Sequence, residues 1–178
     1  LGDIRFIKGS FLDKGIFDDE KFDLIILKNV LEHVVNLEEV LSTCYERLND
    51  NGCLFISVPN ELNPFQKAYM NRKQMSFENS PWFIPPEHLA YFTPDSLIKT
   101  LDNNGFSLVD LLTDVPIDMC LLDDAFDYYE KPELGKAAHA MRVSYTKVLG
   151  SNIDQAYVHL KSQIAMGIGR SLFGFFIK

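Results

Sequence analysis

The apolar residues of this chain fall into runs that predict a sheet interleaved with helices. Residues 22–27 (FDLIIL) and 53–58 (CLFISV) are apolar without alternation, which is typical of parallel strands buried on both faces. Residues 4–7 (IRFI) predict a third parallel strand, which enters a Gly-Ser turn. Residues 106–112 and 171–177 predict two further strands, which we expect to pair antiparallel at the far edge of the sheet.

Helical periodicity separates these strands. Residues 37–48 predict an amphipathic helix with Asn36 as its N-cap, and a second helix begins at Pro94 behind the N-cap residue Thr93. Two more helices, separated near Gly150, precede the last strand. The order of elements therefore predicts an α/β fold built on a doubly wound, mostly parallel sheet.

Two stretches depart from this regular order. Residues 60–92 have no clean period and are interrupted by prolines, so we predict a long loop, of the kind that often forms a lid or binding segment. Because it follows a strand at the carboxyl edge, we expect the part from Pro64 to Phe92 to cover the ligand cleft. Residues 113–168 predict a helical insertion or cap. We interpret residues 1–178 as a single domain that includes this cap.

The composition and net charge argue against several classes of function. The net charge of −8 and the lack of a basic stripe argue against a nucleic-acid-binding surface. No apolar run is long enough to span a bilayer. The three cysteines, Cys44, Cys53 and Cys120, form neither a close pair nor a zinc-binding pattern. We therefore expect reduced cysteines and a cytoplasmic protein.

Three stretches of this sequence together resemble the small-molecule branch of the class I S-adenosylmethionine-dependent methyltransferases. They occur in the order and at the spacing of that family's fourth strand, the helix and fifth strand after it, and the later helix and sixth strand. The stretches are FDLIILKNVLEHV (22–34), LEEVLSTCYERLNDNGCLFISVPN (37–60) and PPEHLAYFTPDSLIKTLDNNGFSLVDL (85–111). The resemblance implies a Rossmann-like methyltransferase fold with S-adenosylmethionine as cofactor.

The resemblance has one departure. The family's first strand ends in a glycine-rich loop for the methionine part of the cofactor, and its second strand ends in an acidic residue for the ribose. This sequence begins just before the equivalent of the third strand. We therefore expect it to be part of a longer chain that includes at least one more βαβ unit of about 30 residues, and we expect these 178 residues alone to bind the cofactor poorly.

The resemblance also assigns a cofactor site. It places one group of residues in the turn that meets the adenine and a second group at the end of the fourth strand, near the methionine. These residues are Gly9, Ser10, Phe11, Asp13, Lys28, Asn29 and His33. A plain surface turn, and a structural histidine, are the alternatives. Glu32 and His33 have no third ligand nearby in sequence, so no metal site is predicted.

The candidate catalytic residues are His88 and Tyr91, in the motif PPEHLAYFTP. Histidine titrates near neutrality and can accept a hydroxyl proton; the alternative is that His88 fixes the loop to the sheet. Aromatic side chains nearby either wall an acceptor pocket or form a small separate core. The acidic and tyrosine-rich segment 116–142 would suit a hydroxyl-rich ligand such as a sugar, with a solvated cap as the alternative.

The sequence thus predicts an enzyme that methylates a hydroxyl group of a small molecule, with a sugar or polysaccharide precursor as a candidate acceptor. Its partners would be a small-molecule acceptor, with no nucleic acid and no membrane. A non-catalytic methyltransferase-like binding module is the main alternative. A nicotinamide-dependent dehydrogenase shares the doubly wound plan, but the motifs VLEHV and NGCLFISVPN argue against it.

Overall fold

The computed structural model describes residues 4–13, 15–17 and 20–178. This part of the chain forms four strands and five α-helices, joined by loops with short 3₁₀ turns. In chain order they are β1 (Phe22–Lys28), α1 (Leu37–Arg47), β2 (Leu48–Pro59), α2 (Pro64–Lys73), α3 (Pro94–Asn103), β3 (Ser107–Thr113), α4 (Gly135–Leu149), α5 (Ile153–Ala165) and β4 (Ser171–Ile177).

The four strands form one sheet in the order β1-β2-β4-β3. β1 and β2 are parallel, with Ile25 opposite Leu54. β4 runs antiparallel to both of its neighbours, and Phe176 lies between Leu54 on β2 and Leu108 on β3. The predicted parallel pair and the predicted antiparallel pair at the far edge are therefore confirmed, and the sheet is mixed.

The strand predicted at residues 4–7 is wrong. These residues have no regular secondary structure, and Ile4 and Phe6 are 78% and 91% exposed. A strand is stabilised by hydrogen bonds to a neighbouring strand, and no strand in the described residues pairs with this segment. Its apolar residues alone do not make it a strand.

β1 is an edge strand in the described part of the chain, and only one of its faces is buried. Ile25 and Leu27 point into the core, whereas Leu24 and Ile26 are 51% and 58% exposed. We expected β1 to be buried on both faces, but within the described residues only one face is buried. Side chains alternate along a strand, so the other face carries its apolar residues uncovered.

The helices that flank the sheet begin where the sequence predicts. The Asn36 side chain accepts a hydrogen bond of 3.2 Å from the Glu39 amide at the start of α1. Thr93 and Ser96 exchange hydrogen bonds in a capping box that begins α3. Together the buried faces of α1 and α3 and the inner face of the sheet form the main core, which includes Leu31, Leu41, Leu54, Leu97, Leu101, Phe106 and Phe176.

The region 60–92 is not entirely a loop, because it contains α2. The Asn63 side chain accepts hydrogen bonds from the Phe65 and Gln66 amides, at 3.0 and 3.1 Å. Pro64 then occupies the first helical turn. The hydrophobic periodicity of the sequence does not predict this helix, because its buried face includes the polar Gln66. The Asn-Pro pair is the signal that would have found it.

Several aromatic residues of this region form a second, smaller core. Tyr69 and Trp82 pack edge to face with ring centroids 5.6 Å apart. Met70 and Leu121 complete the cluster. Trp82 is 5% exposed, so the aromatic side chains here serve mainly as packing under the long connection.

The segment before the last strand is helical, with α4 and α5 separated at Gly150 as predicted. No helix in the described residues is both long enough and apolar enough to cross a bilayer. Cys44, Cys53 and Cys120 are all free thiols. Cys44 is fully buried in the main core, and this burial raises the pKa of its thiol to about 12.

Candidate active site

The carboxyl ends of β1 and β2 are joined by polar contacts. Asn29 directly follows β1 and adopts a left-handed conformation with φ +52°. Its backbone N–H donates to the Ser57 carbonyl at 2.8 Å, and the Ser57 hydroxyl donates to Asn29 Oδ1 at 3.3 Å. Lys28 and Asn29 are both exposed at this edge. In an open α/β sheet this edge is where ligands bind.

The loop that carries His88 is attached to the same edge through Glu32. The Glu32 carbonyl accepts hydrogen bonds from the Leu89 and Ala90 amides, at 2.7 and 3.2 Å. The same loop begins just after β2, and the Glu61 amide closes its base by donating to the Phe92 carbonyl at 2.8 Å. These bonds bring His88 to the end of β1, although 55 residues of sequence separate it from His33.

His33, His88 and Glu32 form a compact cluster at this edge. The ring centroids of His33 and His88 are 5.0 Å apart in an edge-to-face arrangement. His33 Nε2 lies 3.7 Å from Glu32 Oε1, and one side-chain donor atom from each of the three residues lies within 4.8 Å of the others. Two imidazoles and a carboxylate in this arrangement can hold a metal ion.

Glu61 lies on the other side of His88. Its Oε1 is 3.6 Å from His88 Nδ1, and both side chains are largely buried. Burial raises the pKa of Glu61 to about 7, and the nearby negative charge of Asp118 adds to the effect. Burial, followed by the neighbouring His33, lowers the pKa of His88. Both shifts favour neutral side chains in this cluster.

A cavity of about 130 Å³ opens beside Glu61 and His88. Trp82 and Tyr129 give it aromatic walls, and Arg170 supplies a positive charge. In this small, partly enclosed space the polar groups of Glu61, His88 and Arg170 converge beside an aromatic lining, a combination that is typical of small-molecule sites.

Tyr91 lies close to His88 but also has a clear structural role. Its hydroxyl accepts a hydrogen bond of 3.2 Å from the Ile84 amide, and its ring stacks on Phe83 with centroids 5.8 Å apart. The His88 and Tyr91 ring centroids are 6.1 Å apart. Tyr91 therefore stiffens the loop that presents His88.

The residues predicted to meet the adenine form a tight turn. Asp13 Oδ2 accepts a hydrogen bond from the Ser10 amide at 2.9 Å, and the Ser10 hydroxyl oxygen accepts one from the Leu12 amide at 3.2 Å. The exposed Gly9 precedes this turn. The Phe11 ring is half-buried and lies 5.8 Å from the Arg47 guanidinium. The hydrogen bonds of this turn are therefore made within the turn, and its aromatic side chain contacts Arg47.

The acidic and tyrosine-rich segment makes its polar contacts mainly within the protein. Asp118 is 1% exposed and accepts hydrogen bonds from three side chains, Asn63 at 3.1 Å, Gln66 at 3.0 Å and Tyr128 at 2.8 Å. Asp127 likewise accepts from the backbone of its own turn. These groups are therefore already bonded, and the segment offers no support for a sugar-binding site.

The structure thus brings His33, His88 and Tyr91 together, and it adds Glu32 and Glu61 to them. Glu61 was missed from the sequence because it stands alone behind a strand that ends at Pro59. Along the chain no third ligand lies near Glu32 and His33, but the loop that carries His88 brings its ring close to both of them in space.

Comparison with known proteins assigns this fold to a family. Residues 5–111 match the model of a methyltransferase domain, and the chain belongs to that family. A solved S-adenosylmethionine-dependent methyltransferase from Archaeoglobus fulgidus superposes with a TM-score of 0.54 at 15% identity, over 97% of this chain and 66% of that one. This likeness confirms the Rossmann-like methyltransferase fold.

The chain is also similar to curated O-methyltransferases of ubiquinone biosynthesis. The mitochondrial protein of Bos taurus is 29% identical over 132 residues, which are 70% of this chain and 33% of that protein. The protein of Glaesserella parasuis is 46% identical over 55 residues, which are 31% of this chain and 22% of that protein. The chain therefore spans a third or less of the length of these two relatives.

Proposed function

We propose that this chain is part of an S-adenosylmethionine-dependent methyltransferase that methylates a hydroxyl group of a small molecule. The observation that carries the proposal is the cluster of His33, His88, Glu32 and Glu61 beside a small aromatic-walled cavity, at the sheet edge where ligands bind in this fold. The methyltransferase family supports the cofactor, and relatives named O-methyltransferases support oxygen as the acceptor atom.

The groups at the sheet edge fit the cofactor in part. Lys28 and Asn29 are exposed at the end of β1. Although the Asn29 N–H and Oδ1 are bonded to Ser57, the Lys28 ammonium and the Asn29 side-chain NH₂ would face the methionine end of the cofactor. In the turn, the Ser10 amide is already bonded to Asp13. This leaves the exposed Ser10 hydroxyl hydrogen and the Phe11 ring for the adenine. His33 would close the floor between these two regions.

We place the acceptor in the cavity beside His88. S-adenosylmethionine supplies a methyl group already activated on a sulfonium sulfur, so this chain must mainly hold the acceptor in line. Trp82 and Tyr129, which pack edge to face with ring centroids 5.5 Å apart, give the cavity an aromatic lining, and the acceptor hydroxyl would point to His88. Tyr91 acts here as a positioning residue, because it braces the loop through Ile84.

The test is turnover of the His88→Ala variant of the full-length protein. The assay measures S-adenosylhomocysteine released with a panel of small phenols and other hydroxyl compounds. We expect turnover to fall roughly 10²-fold or more, while cofactor affinity stays nearly unchanged. The matched control is His139→Ala, which removes an exposed histidine of α4 and should leave turnover unaltered.

Two results would contradict the proposal. A lower melting temperature of His88→Ala, with turnover per folded molecule preserved, would make His88 a structural residue. Cofactor binding by the unmodified protein, without methyl transfer to any acceptor in the panel, would instead favour the non-catalytic binding module.

A further inference from the structure

The cluster at the sheet edge contains buried polar atoms that have no hydrogen-bond partner within the described residues. They are Glu32 Oε2, Glu61 Oε2 and His88 Nδ1. Glu32 and Glu61 are 2% and 5% exposed, so water does not freely solvate their carboxylates. Unpaired buried polar atoms are costly. A cation bound beside Glu32 would offset that cost for its carboxylate.

His33 is oriented for such a cation. Its Nδ1 lies 2.5 Å from the Glu87 carbonyl oxygen. Because a carbonyl oxygen can only accept, Nδ1 carries the hydrogen, and the neutral ring has its lone pair on Nε2. That lone pair lies on the side of Glu32, whose Oε1 is 3.7 Å away. A backbone carbonyl that fixes the tautomer in this way is the usual support of a metal-binding histidine.

We propose that Glu32, His33 and His88 bind one divalent transition-metal ion, with zinc as the best match. Two imidazoles and one carboxylate, with a further position open, are the donor set of many catalytic zinc sites. Glu61, beside His88, completes the set either as a fourth ligand or as the carboxylate that orients the ring. Magnesium and calcium are disfavoured, because both prefer oxygen donors.

The distances require a modest contraction. The three donor atoms lie within 4.8 Å of one another, whereas tetrahedral zinc holds its ligand atoms roughly 3.3 Å apart. His33 Nε2 and Glu32 Oε1 are already 3.7 Å apart, so a small shift of Glu32 and of the His88 ring toward His33 would supply this change. Asp124, Asp127 and Glu130 also lie together, but the Lys73 ammonium already lies within ion-pair distance of all three carboxylates.

A bound metal ion would give His88 a different role in methyl transfer. This inference about His88 rests on the proposed function. An acceptor hydroxyl bound at the open position would lose its proton more readily, and the proton would pass to a neighbouring carboxylate or to water. The oxygen–methyl bond then forms as the sulfur–methyl bond breaks, which leaves a neutral thioether. His88 would thus hold the ion and need not take the proton itself.

Metal binding can be measured without cofactor or acceptor. The untagged full-length protein is stripped with a chelator and titrated with ZnCl₂ by calorimetry, and Co²⁺ serves as a visible-absorption probe of the ligands. We expect one equivalent of zinc per chain. Glu32→Gln and His33→Gln should each weaken binding by roughly 100-fold or more. His139→Ala and Asp124→Asn are the matched controls and should leave affinity unchanged.

The outcomes separate this proposal from the proposed function. Failure to bind zinc, or equal affinity in His33→Gln and the unmodified protein, would overturn the metal site. His33 is exposed, so this variant should fold, and its melting temperature checks that it does. Full methyl transfer in the presence of excess chelator would also overturn the metal site, while the methyltransferase function would stand. One equivalent of bound zinc, lost in both glutamine variants, would support the site even if no acceptor were methylated.

Discussion

Replacing Asp118 by alanine should strongly destabilise this protein, because the Asp118 carboxylate joins three separate segments. It is 1% exposed and accepts hydrogen bonds from Asn63 and Gln66 at the start of α2 and from Tyr128 in the cap segment. Arg170 lies 3.8 Å away, just before β4. Removal of Asp118 would leave all four groups without this partner.

The size of the effect follows from these contacts. A hydrogen bond to a charged group contributes about 1.5–3 kcal/mol, and three such bonds to one carboxylate are not additive. Because Asn63, Gln66 and Tyr128 would each lose a bond to a buried charge, we take about 3–5 kcal/mol for the whole network. For a chain of this length it corresponds to a fall in melting temperature of roughly 6–20 °C.

Urea unfolding followed by circular dichroism measures the loss directly. Tyr128→Phe removes only one of the three hydrogen bonds and should therefore cost less than Asp118→Ala. Asp102→Ala is the matched control, because Asp102 is exposed on α3. A loss in Asp118→Ala below about 1 kcal/mol, or one equal to that of the control, would refute the reasoning that this carboxylate supports the network.

Two further predictions concern the sheet. Gly169→Ala should lower the free energy of unfolding by about 2–4 kcal/mol, measured by urea unfolding. The reason is that φ is +111° and a new Cβ would lie 1.6 Å from Thr113 Oγ1. The control Gly135→Ala, where no atom lies within 4 Å of the new Cβ, should be near neutral. Burial alone raises the pKa of Asp110, but hydrogen bonds, first from Lys161, bring it below its ordinary value. Its contribution to stability should therefore be present above the unfolded-state pKa of about 3.9 and be lost as pH falls through the folded-state pKa. Urea midpoints between neutral pH and pH 2 should show less of this decline in Asp110→Asn, and an identical decline would contradict it.

Local chemistry let the sequence determine most of the elements. The capping residues Asn36 and Thr93 begin α1 and α3 where the pattern predicts, because an N-cap acts on amides only two or three residues away. The strands β1 and β2 were recognisable because long apolar runs need a core to cover them. The family resemblance followed from the order of these local signals, so it too could be read from the sequence.

Elements that depend on distant partners could not be determined in this way. The apolar residues 4–7 are not a strand, because a strand needs a neighbour that the described chain does not provide. In α2, Gln66 occupies a buried position because Asp118, 52 residues later, accepts its hydrogen bond. A polar residue with such a partner breaks the periodicity on which helix prediction depends.

The candidate site shows the same division. The sequence by itself determined that Glu32 and His33 follow a buried strand and that His88 lies in a long connection, since these are facts of order and polarity. Only the tertiary structure decided that the Glu32 carbonyl anchors the loop through Leu89 and Ala90, and that His88 therefore stands between His33 and Glu61. The physical reason is that burial and charge act through space. A carboxylate acquires an unusual pKa, or a metal-binding partner, from whatever the fold places within a few ångströms of it.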